Sequence, residues 1–396
     1  MDILVICDSY VPSKNSAAIQ MKDLVAEMAL SHNVTVCIPV DSVLKKSQKI
    51  IINNSVTEIR IYIPGIKNNN TYKRALAELL MPFFIYLIML KLGAFYKRYE
   101  AVIWYSPSIF LSLLVAMIKY KCNCKSYLIL RDIFPDWAND LGLIPNKIVN
   151  YFFRVIASFQ LKVANRIGIQ SEGNRNILLN YSSKFNQKIE VLHNWLSEIK
   201  ISELHGELYD LVKDKRKKVF IYSGNIGVSQ NLDLFLSAIT QIEGIRSDFI
   251  MIVVGRGSEM EYLRKKHNLS NVIYFFDEIE SNELNFIYQY CAFGVVCLSM
   301  LHETHNIPGK FLSYLRAKLP VVALVNKNND LIKIINQSEV GIAISQEDIL
   351  SISNHLLFLL EEDKKYNDYK NNCEKLWINE YSTKKAKNQI MNFFKV

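Results

Sequence analysis

Three short turns and one aspartate are the places where this chain could handle an anionic ligand. Ser223-Gly224-Asn225-Ile226-Gly227 follows an apolar run that reads as a strand and precedes an amphipathic run that reads as a helix. Gly255-Arg256-Gly257 repeats the arrangement one unit later. Glycine at the carboxyl end of a strand lets backbone N–H groups face an anion, and the next helix's dipole favours negative charge there. Strand-to-helix turns also use glycine for their own geometry, so the argument rests on the two turns lying at one sheet edge. The third turn is His302-Glu303-Thr304-His305-Asn306-Ile307-Pro308-Gly309-Lys310-Phe311. Pro308 and Gly309 suit a helix entry, which puts Lys310 in the first turn. The helix dipole disfavours a cation there unless an anion is bound nearby. A metal site from His302, Glu303 and His305 is the alternative; it lacks a third well-spaced ligand in the segment. Asp132 follows the strand-like run Tyr127–Leu130, at the edge where open α/β sheets bind ligands. It acts on a reacting group there or caps a helix ahead of Pro135.

The elements that position these residues form two α/β halves. In the first, strand-like runs at Ile3–Cys7, Val34–Ile38, Ile59–Ile63, Val102–Tyr105, Tyr127–Leu130, Arg166–Gln170 and Ile189–Leu192 alternate with amphipathic ones such as Ala17–Leu30 and Val149–Ala164. The second begins again at Val219–Tyr222. It continues through Phe249–Val254, Val272–Phe276, Gly294–Leu298, Val321–Leu324 and Gly341–Ile344, with helical runs between. Alternating strands and helices predict parallel sheets covered on both faces. The expected fold is α/β, two Rossmann-like, doubly wound domains facing each other across a cleft. Residues 1–196 are the first, 197–217 a linker and 218–378 the second. Residues 379–396 are a C-terminal helix that could pack back on the first domain.

Composition narrows the function. The 396 residues are half hydrophobic and about a fifth charged, enough for two cores and unlike a disordered chain. The net charge of +9 resides wholly in residues 1–200. Anionic lipid, a phosphorylated substrate or nucleic acid could each account for it; nucleic acid fits poorly, because the basic residues interleave with aliphatic runs rather than stacking platforms. The seven cysteines show no paired metal-ligand spacing and read as reduced, buried thiols. The N-terminal run is a strand and not a signal peptide. The longest apolar stretch, Leu79–Leu90, is too short for a bilayer span. No glycine follows the first strand until Gly65, which argues against a dinucleotide turn, and a Walker loop is absent.

The order Ser-Gly-Asn-Ile-Gly, then Val-Gly-Arg-Gly-Ser-Glu, then Asn-Ile-Pro-Gly-Lys-Phe-Leu-Ser-Tyr-Leu-Arg-Ala-Lys-Leu-Pro-Val-Val-Ala resembles bacterial family 4 glycosyltransferases of the GT-B fold. The resemblance is to the subgroup that adds N-acetyl-L-fucosamine or related amino sugars to O-antigen or capsule repeats. It is strongest over residues 219–325 and touches Arg131–Asp136, Gln170–Arg175 and Val191–Asn194. It implies a UDP-sugar donor in the second domain. Gly224, Asn225 and Gly227 would face the diphosphate. Gly255, Arg256 and Gly257 would lie along the nucleoside, with Glu278 and Ile279 flanking the base. Asn306, Pro308, Lys310 and Phe311 would approach the sugar and β-phosphate. The acceptor would enter near Asp8, Ser13, Asn15, Ser16 and Glu172, with Asp132 catalytic. Three departures stand out: His305 and Ser313 replace the usual glutamate pair, Ser13–Ser16 replaces a diglycine, and Asn225 and Gln230 stand near the usual Arg…Lys pair. With no Asp-x-Asp pair to bridge a metal to a diphosphate, no divalent ion or other cofactor is expected.

Leu79–Leu90 and Ile109–Ile118 are flanked by Lys73, Arg74, Lys91, Lys119, Lys121 and Lys125. Interfacial helices have this composition. The expectation is a cytoplasmic protein bound peripherally to the inner face of the membrane, acting on an undecaprenyl-pyrophosphate-linked acceptor. A sugar-nucleotide epimerase or hydrolase and a non-catalytic sugar-nucleotide-binding module are the competing readings.

Overall fold

Short runs of β-branched and aliphatic residues make the strands of two parallel sheets. The computed structural model describes residues 1–13, 15–40, 47–64, 71–96, 98–106, 108–140, 142–144, 146–199, 201–299, 307–345 and 348–395, without the side chains of 71–76, 140 and 363. It divides into two compact units, Met1–Asn194 with Thr383–Val396, and Trp195–Ser382.

The first unit runs β1 (Asp2–Ile6), α1 (Ser16–Ala29), β2 (Asn33–Val40), β3 (Gln48–Ile51), β4 (Val56–Tyr62), α2 (Thr71–Lys91), β5 (Ala101–Tyr105), α3 (Leu111–Cys122), β6 (Lys125–Ile129), α4 (Asp136–Asp140), α5 (Lys147–Val163), β7 (Arg166–Ile169), α6 (Gly173–Leu179) and β8 (Ile189–Val191). The sheet order is β3-β4-β2-β1-β5-β6-β7-β8. Only β3 is antiparallel to its neighbour. The central strand β5 is buried from end to end, and β6 at every residue after Lys125, as sheets covered on both faces require. The chain winds from β1 to one side and then from β5 to the other. The switch point therefore lies between the carboxyl ends of β1 and β5.

The second unit runs α7 (Glu207–Val212), β9 (Lys218–Asn225), α8 (Leu232–Glu243), β10 (Phe249–Arg256), α9 (Met260–Lys266), β11 (Ile273–Phe276), α10 (Ser281–Tyr288), β12 (Phe293–Cys297), α11 (Gly309–Arg316), β13 (Val321–Leu324), α12 (Asp330–Ser338), β14 (Gly341–Ile344), α13 (Ile349–Glu361) and α14 (Asp363–Leu376). Its order, β11-β10-β9-β12-β13-β14, puts the switch point between β9 and β12. The stretch 197–217 is part of this unit rather than a free linker, because Leu208 and Val212 of α7 are buried in its core. The closing helix α15 (Thr383–Lys395) belongs to the first unit. It packs on α1, and Gln389 Nε2 donates to the Val191 carbonyl at 2.7 Å.

Two helices of the first unit turn apolar side chains outward. On α2, Leu80, Phe83, Phe84 and Leu87 are exposed, while Met81, Ile85 and Met89 are buried. On α5, Ile148, Tyr151, Phe152, Val155 and Phe159 form an exposed stripe at helical spacing, with Ile148 81% and Tyr151 71% accessible. Leu79 of α2 and Phe153 and Ile156 of α5 share a cluster with Phe110, so both helices flank α3. The basic, apolar segment Ile109–Ile118 is different. Leu111, Leu114, Val115 and Ile118 are fully buried between the sheet and its neighbours, so this part of the expected membrane face is core.

Helix α11 lies tight against β9 and β12 through Tyr314, whose ring is fully buried. Its hydroxyl accepts from Ser223 N at 3.2 Å and sits 3.2 Å from the carbonyls of Ile221 and Val295. The ring leaves no room for a side chain at residue 294: a Cβ on Gly294 would lie 2.4 Å from Tyr314 Cγ. Close-packed interiors do not absorb such overlap. Gly294→Ala should therefore destabilise the fold by about 1–3 kcal/mol, read as a lowered urea midpoint.

Candidate functional site

The switch point of the second unit brings together two of the three turns. The Ser223–Gly227 turn leaves β9, and the segment after β12 ends in Pro308, which precedes α11. Lys310 occupies the first turn of α11, as the sequence predicts. Its stem lies beside Gly224, where a Cβ would come within 3.9 Å of Lys310 Cε. The amine rests on the face of Tyr222, 3.4 Å from the ring centroid. Lys310 Nζ is out of reach of solvent and, among the described residues, has no hydrogen-bond partner. Burial pushes the amine down to about 7, with only the buried Cys297 thiol pulling the other way. Among the described residues this lysine has no counterion, at the kind of sheet edge where open α/β folds bind ligands. Gly309 and Lys310 begin the helix, where N–H groups have no partner within the helix itself. Phe311 N already donates to Pro308 O at 3.0 Å.

The glycine turns prove less open than expected. Ile226 N donates to Arg256 O at 2.9 Å, and Gly227 N donates to Gln230 Oε1 at 3.1 Å. Gln230 Oε1 also accepts from Asn225 Nδ2 at 2.9 Å. The Gly227 amide, one of those expected to face a diphosphate, is thus engaged beside the turn, its neighbour Ile226 is held by Arg256, and Asn225 and Gln230 hold each other. Gly255 and Gly257 have steric reasons. Both have positive φ, and a Cβ would sit 1.9 Å from Gly224 O and 2.1 Å from Ile226 O respectively. Their bare Cα atoms let β10 pass against the neighbouring turn, which accounts for both glycines without a ligand. Arg256 pairs with Glu278 at 3.0 Å, both exposed. Ile279 is partly buried against the core. Phe311 is fully buried against Tyr381, so its side chain is core and cannot approach a sugar. Asn306, with His302, Glu303 and His305, lies outside the described residues. Among the described residues, no group of three side chains could hold a metal.

The first unit has its own constellation at the β1/β5 switch point. Tyr105 ends β5, Asp8 follows β1 and Asp132 follows β6. Both aspartates are in electrostatic reach of Tyr105. Burial pushes the Tyr105 phenol up to about 12; Arg131 opposes this, and Asp132 and Asp8 add to it. Asp132 is exposed, yet the protein around it pushes its carboxyl above the ordinary range, with Arg131 opposing. It is not a helix cap, since α4 starts only at Asp136. Arg131 is buried and donates to the carbonyls of Leu192 at 2.8 Å and His193 at 3.2 Å. His193 Nδ1 lies 3.1 Å from Gln170 O. The three motifs of this half are therefore one hydrogen-bonded edge. Four acceptor-side candidates are placed less favourably. Asn15 caps α1, its Oδ1 accepting from Ala18 N and Ser9 Oγ at 2.8 Å. Glu172 pairs with Arg175. Ser13 donates its N–H to Tyr10 O at 3.1 Å, and Ser16 is exposed at the start of α1. Tyr222 and Tyr105 escape a sequence reading because tyrosine at a strand end looks like ordinary core.

A buried, unpaired lysine carries a stability cost that a neutral side chain lacks. Its folded pKa is depressed, so the unfolded chain binds more protons between about pH 7 and pH 10.5, and stability rises with pH across that window. Lys310→Met should stabilise the ligand-free protein by about 1–3 kcal/mol in urea titrations at pH 6, and by less at pH 10.

Residues 209–376 match the family Glycosyl transferases group 1. Over 298 residues the chain is 23% identical to "Probable glycosyltransferase WbjE" of Pseudomonas aeruginosa, covering 74% of this chain and 73% of that one. Among solved structures, Anabaena Alr3699/HepE in complex with UDP superposes with a TM-score of 0.66 at 11% identity, over 100% of each chain. WaaG, a glycosyltransferase involved in lipopolysaccharide biosynthesis, superposes with a TM-score of 0.60 at 12% identity, over 99% of each. The two parallel-sheet units thus have the GT-B fold, the second carries a glycosyl transferases group 1 domain, and the enzyme is a glycosyltransferase.

Proposed function

We propose that the enzyme moves an N-acetylated amino sugar, N-acetyl-L-fucosamine or a close relative, from UDP to an undecaprenyl-pyrophosphate-linked acceptor, in O-antigen or capsule assembly at the inner face of the membrane. The observation that carries the donor half is Lys310, buried beside Gly224 at the β9/β12 switch point with no hydrogen-bond partner among the described residues. Breaking a glycosyl–phosphate bond builds negative charge on the leaving diphosphate. The N–H groups at the start of α11 and a Lys310 ammonium drawn off the Tyr222 ring would meet that charge. The choice of UDP is supported by HepE, which was solved with UDP. The amino sugar rests on the resemblance of residues 219–325 alone. Lipopolysaccharide assembly is supported by the likeness to WaaG.

Asp132 is the candidate for the acceptor half. A carboxylate with a raised pKa, set in electrostatic reach of Tyr105 at a sheet edge, suits removal of the acceptor hydroxyl proton or stabilisation of positive charge on the sugar. Asp132→Asn keeps the volume and removes the charge. Turnover of UDP-sugar with a lipid-pyrophosphate acceptor should fall about 10²-fold or more, with UDP affinity nearly unchanged. Near-normal turnover would return Asp132 to a structural role.

The lipid acceptor gives the outward apolar stripes of α2 and α5 a purpose. Among the described residues no helix is long and apolar enough to cross a membrane. A surface of this kind, on the half that holds the basic excess, suits peripheral binding. Phe84→Glu combined with Ile148→Glu should cut sedimentation with anionic vesicles at least about tenfold and leave UDP binding intact. Unchanged sedimentation would mean that this face meets something other than lipid.

A further inference from the structure

Lys310 does not stand alone, and the residue beneath it has two jobs. Tyr222 lies on β9 with its ring fully buried. One face of the ring carries the Lys310 amine at 3.4 Å from the centroid. Its hydroxyl donates to the carbonyl of Asn225, inside the turn that ends β9. A single side chain therefore sets both the lysine and the shape of the turn beside it.

Few other groups bear on the amine. Cys297 on β12 is a buried thiol, neutral because burial pushes its pKa up. On α14, Glu374 pairs with Lys318 at 2.8 Å, and the Cys373 thiol faces the carbonyls of Leu319 and Val340. In the turn Trp377–Tyr381, Tyr381 packs on Phe311. The strand β13 carries only Val321–Leu324. Among the described residues no carboxylate bonds the amine. An aromatic face attracts an ammonium, yet it tolerates a neutral amine as well, and a dry site favours the neutral form.

We infer that Tyr222 is the positioning residue of the donor site: it stores Lys310 as a neutral amine beside Gly224, and diphosphate binding draws the amine off the ring with uptake of one proton from solvent. The new N–H bond forms on Nζ, the proton comes from the buffer acid, and the resulting ammonium meets the phosphate oxygens. This rests on the donor-site reading above, and adds to it a proton that binding must consume. Selectivity follows as well, because a uridine without phosphates has nothing with which to draw the lysine out.

The test is isothermal titration of the full chain with UDP, GDP and inorganic pyrophosphate, in two buffers of different ionisation enthalpy at about pH 8. At that pH the terminal phosphates of UDP and GDP, with a second pKa of about 6, are already ionised, so any proton taken up on binding them goes to the protein. The expected result is uptake approaching one proton per UDP bound, and affinity falling about tenfold between pH 7 and pH 8.5. Lys310→Met should abolish the uptake. Tyr222→Phe should keep it, since the ring remains. Tyr222→Leu opens the lysine to water; it should bind UDP with little or no uptake and a flat pH profile, whereas a merely structural tyrosine would weaken binding equally at every pH. If the wild type binds UDP and takes up no proton, the inference is overturned and the donor site stands. If none of the three ligands binds, the donor site and the inference fall together. The wild-type proton count decides even if Tyr222→Leu fails to fold.

Discussion

The donor-side edge depends on how closely α11 can approach the sheet. Gly294 removes a side chain from β12, and the Tyr314 ring fills that space. The Tyr314 hydroxyl then reaches backbone groups of both β9 and β12. With that contact made, the first turn of α11 is held one helical turn away, and Lys310 must lie over Tyr222. Ser223 ties a second tyrosine into the network, its Oγ lying 2.6 Å from Tyr288 Oη. Every polar atom in this layer is spoken for, which is what a buried network needs if it is to hold one geometry. The lysine above it is the exception, and exceptions of that kind concentrate where ligands bind.

The same logic orders the first unit less tightly. Arg131 bridges loops that follow β6 and β8, and burial lowers its pKa to about 10. The guanidinium thereby fixes the backbone on which Asp132 sits. Both units accordingly place a charged residue at the switch point and support it from beneath with groups bonded to backbone carbonyls. The donor half uses aromatic hydroxyls for this, and the other half uses an arginine.

Periodicity made the sheets, the helix α1 and the first-turn position of Lys310 legible, because alternation of buried strands and half-buried helices leaves a direct trace in residue type. Residues whose role is decided by a neighbour distant in sequence were not legible. Gly255 and Gly257 read as a ligand turn, but they answer to carbonyls of Gly224 and Ile226 on the adjacent chain segment. Phe311 read as part of a binding turn because it follows Lys310, although one residue along a helix is a rotation of about 100° and turns it into the core. Asn15 read as an acceptor contact and is a helix cap. Composition placed the second interfacial helix at Ile109–Ile118, whereas α3 is buried and the exposed stripe belongs to α5. An amphipathic pattern states that a helix has two faces; it does not state which face meets solvent. The network of Tyr222, Tyr288 and Tyr314 had no sequence signature, since its parts are aromatic residues of the ordinary core kind.

The first unit is discontinuous in the chain, and this bears on how the protein is made. Its α1 surface is covered by α15, where Ala386, Ile390 and Met391 are buried and Phe393 packs edge-on to Tyr127. Domains ordinarily complete themselves in the order in which the ribosome delivers them. Here the first sheet is synthesised early and stays uncovered on that side until the whole of the second unit has emerged. Final closure of the first unit is therefore a late event of biosynthesis. During that interval the apolar surface that α15 will cover is available to chaperones before the enzyme is complete.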